Sequence, residues 1–283
     1  MESQKNFSRS FSFEFFPPKT AEGREKLETV LAELGALHPD YFSVTFGAGG
    51  STQQGTYETV LAIRDAGFEA APHLSCIGST REGIRAILHQ YLDAGIRRIV
   101  ALRGDMPSGM HEAGEFRHAN ELVAFIREKT GDRFHIEVAA YPEFHPQAPN
   151  AIADIDFFMN KVRAGANGAI TQYFYNVDAY LRFIEACEAR GLDVPVVPGI
   201  MPITNYVRLA RFSDACGAEI PRWLRKRLEA FGDDTDSITA FGIDVVTALC
   251  ERLLAEGAPG LHFYTMNRTE PTRTIWRNLG LPK

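Results

Sequence analysis

No stretch of this 283-residue sequence is apolar for the length that a membrane span needs. The opening MESQKNFSRS is polar and has no apolar segment of the kind that directs secretion. Cysteine is scarce. Cys76, Cys187, Cys216 and Cys250 stand far apart without CxxC spacing, which argues against a zinc site and for reduced thiols in the cytoplasm. HExxH, GxSxG and GKS/T are all missing, and no histidines pair at helical spacing, so metal-ion, serine-hydrolase and P-loop chemistry lack their signatures. Basic charge is not in excess: 30 Lys and Arg against 36 Asp and Glu leave a net −6, which speaks against a dedicated nucleic-acid binder. No linker or low-complexity segment marks a second domain. What is left is acid and base work by side chains, together with an organic cofactor.

What is present is a repeated alternation of strand and helix patterns. Strands are expected at 11–16, 41–46, 69–75, 98–102, 135–140, 168–174, 194–197 and 260–264, most of them rich in Val, Ile, Phe and Ala as in sheets covered on both faces. Between them lie amphipathic stretches such as 81–94, where Ile84, Ile87, Leu88, Tyr91 and Leu92 keep helical spacing. Gly67, Gly95, Gly165, Gly191 and Gly257 each follow such a stretch and predict helix stops. Eight β-then-α units predict an α/β fold, a (β/α)8 TIM barrel over residues 11–283, ahead of an open doubly wound sheet. The strand 7–8 connection is long, with helical patterns at 205–216, 221–231 and 235–256, and is expected to hold an extra helix. Residues 1–10 are expected to be a flexible tail.

In a barrel the chemistry gathers at the C-terminal ends of the strands. Those ends carry Glu14, Thr45, His73, Arg103-Gly104-Asp105, Tyr141, His145, Thr171-Gln172 and Asn267-Arg268. Each has a plainer reading: an edge-strand Glu, a core His, an Asp-capped turn, a buried amide. Phe212 taken alone reads as helix core, and Asp233-Asp234 as a helix N-cap. Glu14 stands out because Phe13, Phe15 and Phe16 flank it and Pro17-Pro18 end the strand. Aromatic surroundings would raise its pKa and keep a proton on it, as a general acid requires. Gly47-Ala48-Gly49-Gly50 is a weak dinucleotide signal, since Thr52 stands where a third glycine belongs; a tight turn that lets a ligand reach the backbone fits better.

The phrases Ser12-Phe13-Glu14-Phe15-Phe16-Pro17-Pro18, Ser43-Val44-Thr45-Phe46-Gly47-Ala48, Ala71-Pro72-His73-Leu74, Ala101-Leu102-Arg103-Gly104-Asp105, Ala140-Tyr141-Pro142-Glu143, Ala169-Ile170-Thr171-Gln172, Val197-Pro198-Gly199-Ile200 and His262-Phe263-Tyr264-Thr265-Met266-Asn267-Arg268 occur in this order. The ordered set resembles the 5,10-methylenetetrahydrofolate reductases, and the length resembles the short bacterial type, a catalytic barrel alone. The resemblance implies FAD as cofactor, NADH or NADPH as electron donor, and 5,10-methylenetetrahydrofolate as the substrate reduced to 5-methyltetrahydrofolate. It also implies a homo-oligomer, while composition and motifs lead to the expectation of a cytoplasmic protein with no nucleic acid, membrane or metal involved. Glu14 would protonate folate N10, and Asp105 would bind the pterin and tune the flavin. Thr45, Gln172, Arg208, Phe212 and Arg268 would meet folate or the nicotinamide nucleotide. FAD would be held by Thr45, His73, Arg103, Gly104, Asp105, His118, Ala119, Tyr141, His145, Asp154 and Lys161.

The sequence departs from the family pattern at three positions. Phe157 stands where some bacterial members have Asn, Asn160 replaces an Arg beside Lys161, and His118 takes a position often held by Tyr. The helix 151–161 therefore offers less positive charge to the adenylate half of FAD. Looser FAD retention, or compensation from another basic residue, is expected. Two other functions remain open on the residues alone. One is a flavin-free barrel such as an aldolase or a pterin-dependent methyl transferase, although no expected strand contains a Schiff-base Lys. The other is a folate- or flavin-binding protein without catalysis, against which Glu14 argues.

Overall fold

The structure is a computed structural model that describes residues 1–46, 50–105 and 114–282, with residues 50–52 described by backbone alone. The strands are β1 (Ser10–Phe15), β2 (Tyr41–Val44), β3 (Ala70–Ser75), β4 (Arg98–Leu102), β5 (His135–Ala140), β6 (Gly168–Thr171), β7 (Val196–Val197), β8 (Gly199–Ile200) and β9 (Gly260–Tyr264). All pair in parallel, in the order β7-β6-β5-β4-β3-β2-β1-β9-β8. The two ends of that order are one stave. Val196–Val197 pairs with β6, Gly199–Ile200 pairs with β9, and Pro198 between them lacks an N–H but accepts from His262 N at 2.9 Å. The nine segments thus close as the expected eight-stave barrel.

The closure needs Gly199. A Cβ there would lie 2.1 Å from the Thr171 carbonyl oxygen and 2.7 Å from the Tyr264 ring, which crosses the barrel so that its hydroxyl donates to that same carbonyl at 2.7 Å. Any side chain would push these staves apart.

The helices are α1 (Ala21–Gly35), α2 (Gly50–Asp65), α3 (Arg81–Asp93), α4 (Ala119–Thr130), α5 (Ala151–Arg163), α6 (Val177–Glu188), α7 (Tyr206–Cys216), α8 (Arg222–Ala230), α9 (Thr235–Glu256) and α10 (Thr272–Asn278). The last long connection carries α7, α8 and α9, matching its three helical patterns. The five expected stop glycines all have positive φ, from 75° to 112°. Asp234 caps α9, accepting from Ser237 N at 3.0 Å. Strand 6 ends earlier than its apolar run suggests, because Gln172–Phe174 leave the sheet after Thr171.

The expected loose tail is docked instead. The Met1 ammonium lies 3.0 Å from Glu188 Oε2, and buried Gln4 exchanges hydrogen bonds with Val194 O and Val196 N. Strand 7 leaves those backbone groups unpaired, and Gln4 satisfies them.

Alternation along the strands sorts two interiors. Phe13, Phe15, Phe42, Val138 and Phe263 face the helices and join the main core, where Cys187 and Cys250 are also buried. Inside the barrel a small apolar cluster of Tyr41, Ala71, Val100 and Ile170 is interleaved with polar groups. Deep in the barrel Arg98 Nη1 donates to Glu137 Oε1 at 2.6 Å, and His135 Nε2 lies 3.0 Å from the same oxygen. Burial pushes the Glu137 carboxyl up, but His135, Arg98 and His262 together hold it below its ordinary range. The Arg98 guanidinium covers the Tyr41 ring at 4.5 Å, and that ring stacks on His262, 6.2 Å away. A polar column therefore runs up the barrel to its mouth.

Candidate active site

Glu14 is the last inward-facing residue of β1 and stands at the top of this column. Its sequence neighbours Phe13 and Phe15 point the other way and are fully buried in the outer core. Three side chains converge on one carboxylate oxygen. Ser43 Oγ donates to Oε2 at 3.4 Å, His262 Nε2 lies 3.4 Å from it, and His73 Nε2 lies 3.2 Å from it. The His73 nitrogen makes no aligned hydrogen bond to this oxygen and has no other partner among the described residues. Among the described residues no hydrogen bond or ion pair is made to Oε1.

Burial pushes the Glu14 carboxyl up, but the charge of His73 and the hydrogen bond and charge of His262 outweigh it and bring it down to about 2. This corrects the expected raised value. Side chains at successive strand positions face opposite ways, so the flanking phenylalanines never desolvate Glu14, and two histidines do face it.

The end of β9 holds the end of β1 in place. Thr265 Oγ1 donates to the Glu14 carbonyl at 2.7 Å. Asn267 accepts from Phe16 N at 2.9 Å and donates to Phe16 O at 2.8 Å. Met266 and Asn267 both adopt φ of 54°, a conformation that side chains rarely take, to make this grip.

Further round the rim, Tyr141 and His145 meet edge to face at 4.7 Å. Asp154 Oδ2 accepts from His145 N at 2.9 Å. Burial, with Asp105 and Asp154, pushes the Tyr141 hydroxyl up to about 12. Lys161 is half-buried, donates to the Ala139 carbonyl at 2.5 Å, and is drawn down to about 8 by loss of solvent around its ammonium despite Asp154. His118 is the N-cap of α4 but offers no side-chain cap to the helix that begins at Ala119. Its ring stacks on half-exposed Phe157 at 6.3 Å, and Asn160 is exposed. The structure thus puts an aromatic pair where charge was expected to be short.

Arg103 donates to its neighbour's carbonyl at 3.2 Å and pairs with the Gln147 side chain. Gly104 has φ of 82°, and a Cβ there would come within 2.9 Å of Ser75 Oγ. Asp105 is exposed. Thr45 is half-buried and is tied back to Phe15 O at 2.9 Å. The loop at Gly47-Ala48-Gly49 lies outside the described residues. Gln172 is half-buried and accepts from Tyr173 N at 3.0 Å. Phe212 is not helix core, since 49% of it is exposed on α7. Arg208 and Arg268 come together on a polar hollow of about 390 Å³ that Asn205, Asp236 and Glu270 also line. A larger hollow of about 970 Å³ lies between α1 and α2, with Phe16 and Thr45 in its lining. The residues that sequence reasoning missed are Ser12, Ser43 and His262, the groups beneath and beside Glu14.

Glu143, just past Tyr141, has the opposite electrostatics to Glu14. Oε2 accepts from Glu219 N at 2.7 Å, Oε1 is buried without a partner among the described residues, and burial pushes the carboxyl up to about 7. A raised carboxyl costs stability as the unfolded chain ionises first: stability falls from about pH 4.5 to about pH 7 and then stays low. Glu143→Gln is therefore expected to raise Tm at pH 8 and to leave it unchanged at pH 4; thermal melts at both values check this.

Among the described residues no helix is long and apolar enough to cross a membrane. A family model for methylenetetrahydrofolate reductase matches residues 1–280. The chain is 41% identical over 271 residues to the 5,10-methylenetetrahydrofolate reductase of Escherichia coli (strain K12), covering 95% of this chain and 90% of that one. It is 39% identical to methylenetetrahydrofolate reductase (NADH) 1 of Arabidopsis thaliana, covering 96% of this chain but only 48% of that longer protein. Among solved structures it resembles an uncharacterized Clostridium thermocellum protein that binds two copies of 5-methyl-5,6,7,8-tetrahydrofolic acid. That likeness has a TM-score of 0.66 and 17% identity and covers 99% of this chain and 96% of the other, which supports the barrel fold. The chain belongs to the methylenetetrahydrofolate reductase family of oxidoreductases.

Proposed function

We propose that this protein reduces 5,10-methylenetetrahydrofolate to 5-methyltetrahydrofolate with NADH or NADPH as electron donor and FAD as cofactor. The observation that carries the reading is Glu14, at the C-terminal end of β1, anchored at Oε2 and with Oε1 free of hydrogen bonds and ion pairs among the described residues. FAD supplies hydride-transfer chemistry when bound.

The rim suits such a cofactor. Half-buried Lys161 meets Asp154, a backbone carbonyl and the face of the Phe158 ring, and a phosphate group nearby would stabilise its ammonium form. The uncapped start of α4 at His118 and Ala119 offers N–H groups to an anion. Gly104 makes a turn of positive φ packed on Ser75 and Ile77, and with Arg103, Asp105, Tyr141, His145 and Thr45 it completes the set. The aromatic pair His118 and Phe157 offers a face for stacking in place of the missing Arg charge.

For the folate, Arg208 and Arg268 suit carboxylates, and Gln172 can offer both a donor and an acceptor to a pterin edge. Phe212 gives an exposed ring to stack on either ligand. Glu14 protonates N10, the bond from N10 to the bridging carbon opens, and the resulting 5-iminium cation is the hydride acceptor. The negative charge of Asp105 favours that cation. A cytoplasmic, homo-oligomeric enzyme completes the proposal, and its four thiols, free of disulfides, accord with a reducing compartment.

The purified protein is expected to show an oxidised-flavin band near ~450 nm that NADH or NADPH bleaches. Adding 5,10-methylenetetrahydrofolate without oxygen should restore the band. Protein that is colourless, and stays so when supplied with FAD, would refute the reading.

A further inference from the structure

His262 is completely buried, yet both its ring nitrogens are engaged. Nδ1 lies 2.7 Å from Ser12 Oγ and Nε2 lies 3.4 Å from Glu14 Oε2. The register of β1 on β9 produces this, pairing Ser12 with His262 and Glu14 with Tyr264. A carboxylate oxygen can only accept, so Nε2 carries a hydrogen. The Ser12 hydroxyl can donate to Nδ1 or accept from it, so the site suits both the neutral and the doubly protonated ring.

The charged and titratable groups around it come from every neighbouring strand. Glu14 lies on β1, Tyr41 stacks from β2, and His73 reaches the same carboxylate oxygen from β3. Arg98 on β4 and His135 on β5 are engaged by Glu137, whose charge is felt by His262, and Tyr264 on β9 meets it edge-on at 5.3 Å.

We propose that Glu14 does not deliver its proton alone: the Glu14–His262 pair, braced by Ser12, shares one proton and acts as a single acid, with His262 as a positioning residue. The inference rests on the reading of Glu14 as the acid given above. A carboxylate surrounded by hydrogen-bond donors is by itself a poor acid at neutral pH. Two contacting sites that share one proton hold it more tightly than either would alone, and titrate as a unit. In the reaction the proton passes from Glu14 to folate N10. The bond between N10 and the bridging carbon breaks, and its electron pair stays on N10. The pair is left as a carboxylate and a neutral imidazole, and regains its proton from solvent at the mouth. His73 reaches the same oxygen but lacks hydrogen-bond alignment, and among the described residues no side chain braces it as Ser12 braces His262, so it does not fill this role.

His262→Gln keeps a donor toward Glu14 and removes the proton store; Ser12→Ala removes the brace, together with the hydrogen bond that Ser12 shares with Tyr41. Both half-reactions are followed by stopped flow across the neutral pH range, with Glu14→Gln run alongside. His262→Gln is expected to slow oxidation of the reduced enzyme by the folate about 100-fold at neutral pH, while nucleotide-driven reduction stays within about threefold. The alkaline limb of the folate half-reaction should move to lower pH by about one unit, and Ser12→Ala should move it the same way by less. A second readout uses the flavin-free protein, in which the Glu14 carboxyl band is assigned in the infrared by its loss in Glu14→Gln. Its midpoint should rise in His262→Gln, because a neighbour that favours the carboxylate has gone.

An unmoved limb and an unmoved infrared midpoint would overturn the pairing, as would an equal loss in both half-reactions. If His262→Gln fails to fold, an unshifted limb in Ser12→Ala decides against it. If Glu14→Gln slows the folate half-reaction but the His262 and Ser12 variants do not, only the pairing falls. If Glu14→Gln has no effect, the role of Glu14 falls and the pairing with it.

Discussion

Arg98→Leu is expected to melt about 10 °C below the wild type, the largest loss of stability from any single substitution considered for this barrel. The cause is the charge it leaves behind. Glu137 has a side chain only 5% exposed, and Arg98 donates to it at 2.6 Å. Its second oxygen already lacks a partner among the described residues, and Gly168 leaves the room it occupies, since a Cβ there would sit 2.5 Å from Glu137 Oε2. Removing one partner of a buried pair strands the other and costs about 3–5 kcal/mol. His135 remains at 3.0 Å and offsets part of this.

The double variant Arg98→Leu/Glu137→Leu removes both charges and should recover most of the loss, so a thermal double-mutant cycle reads out the coupling. A single variant that melts like the wild type would mean that water, not Arg98, satisfies Glu137. Acid should act in the same direction. Glu14 and Glu137 both have folded-state values below the ordinary 4.5, so their contribution is complete above that value. It is lost as the pH falls toward the folded values, about 2 for Glu14.

Much of the barrel could be read from the chain, because its signals are local. Apolar runs bounded by glycine mark staves and helix ends, and the five stop glycines take positive φ. The split of the seventh stave at Pro198 was not legible, since it depends on which neighbours each half meets. Nor was the docking of residues 1–9, because nothing in a polar tail announces the unpaired backbone that Gln4 satisfies.

At the site, chain order brought Glu14 to notice for a reason that proved wrong. Phe13 and Phe15 are adjacent in sequence, but a strand turns alternate residues to opposite faces, so they pack outward. A signal for the true neighbours was present. Ser12-x-Glu14 and His262-x-Tyr264 each keep a two-residue period of polar groups, as inward-facing strand positions would. Only pairing of the first stave with the last reveals that the two patterns touch. Arg208 and Arg268, 60 positions apart in the sequence, likewise meet only once the barrel closes.

Glu14→Gln should be the variant with the greatest effect on the reaction. Glutamine has nearly the same shape and can still accept from Ser43 and His262 at the anchored oxygen, so the fold and the rim residues are left as they are. What it cannot do is give a proton to N10. Loss of a positioned general acid costs about 10²–10⁴-fold. Reduction by the nicotinamide nucleotide calls for no proton from this residue, and the rim groups at Tyr141, His145 and Lys161 are untouched. The two halves of the cycle should therefore separate.

Single-turnover stopped flow on Glu14→Gln, with each half-reaction followed at the flavin band, tests this most directly. The account predicts nucleotide-driven bleaching at close to the wild-type rate, followed by folate-driven recovery that is at least about 100-fold slower. Recovery at the wild-type rate, or equal loss of both steps, would contradict it.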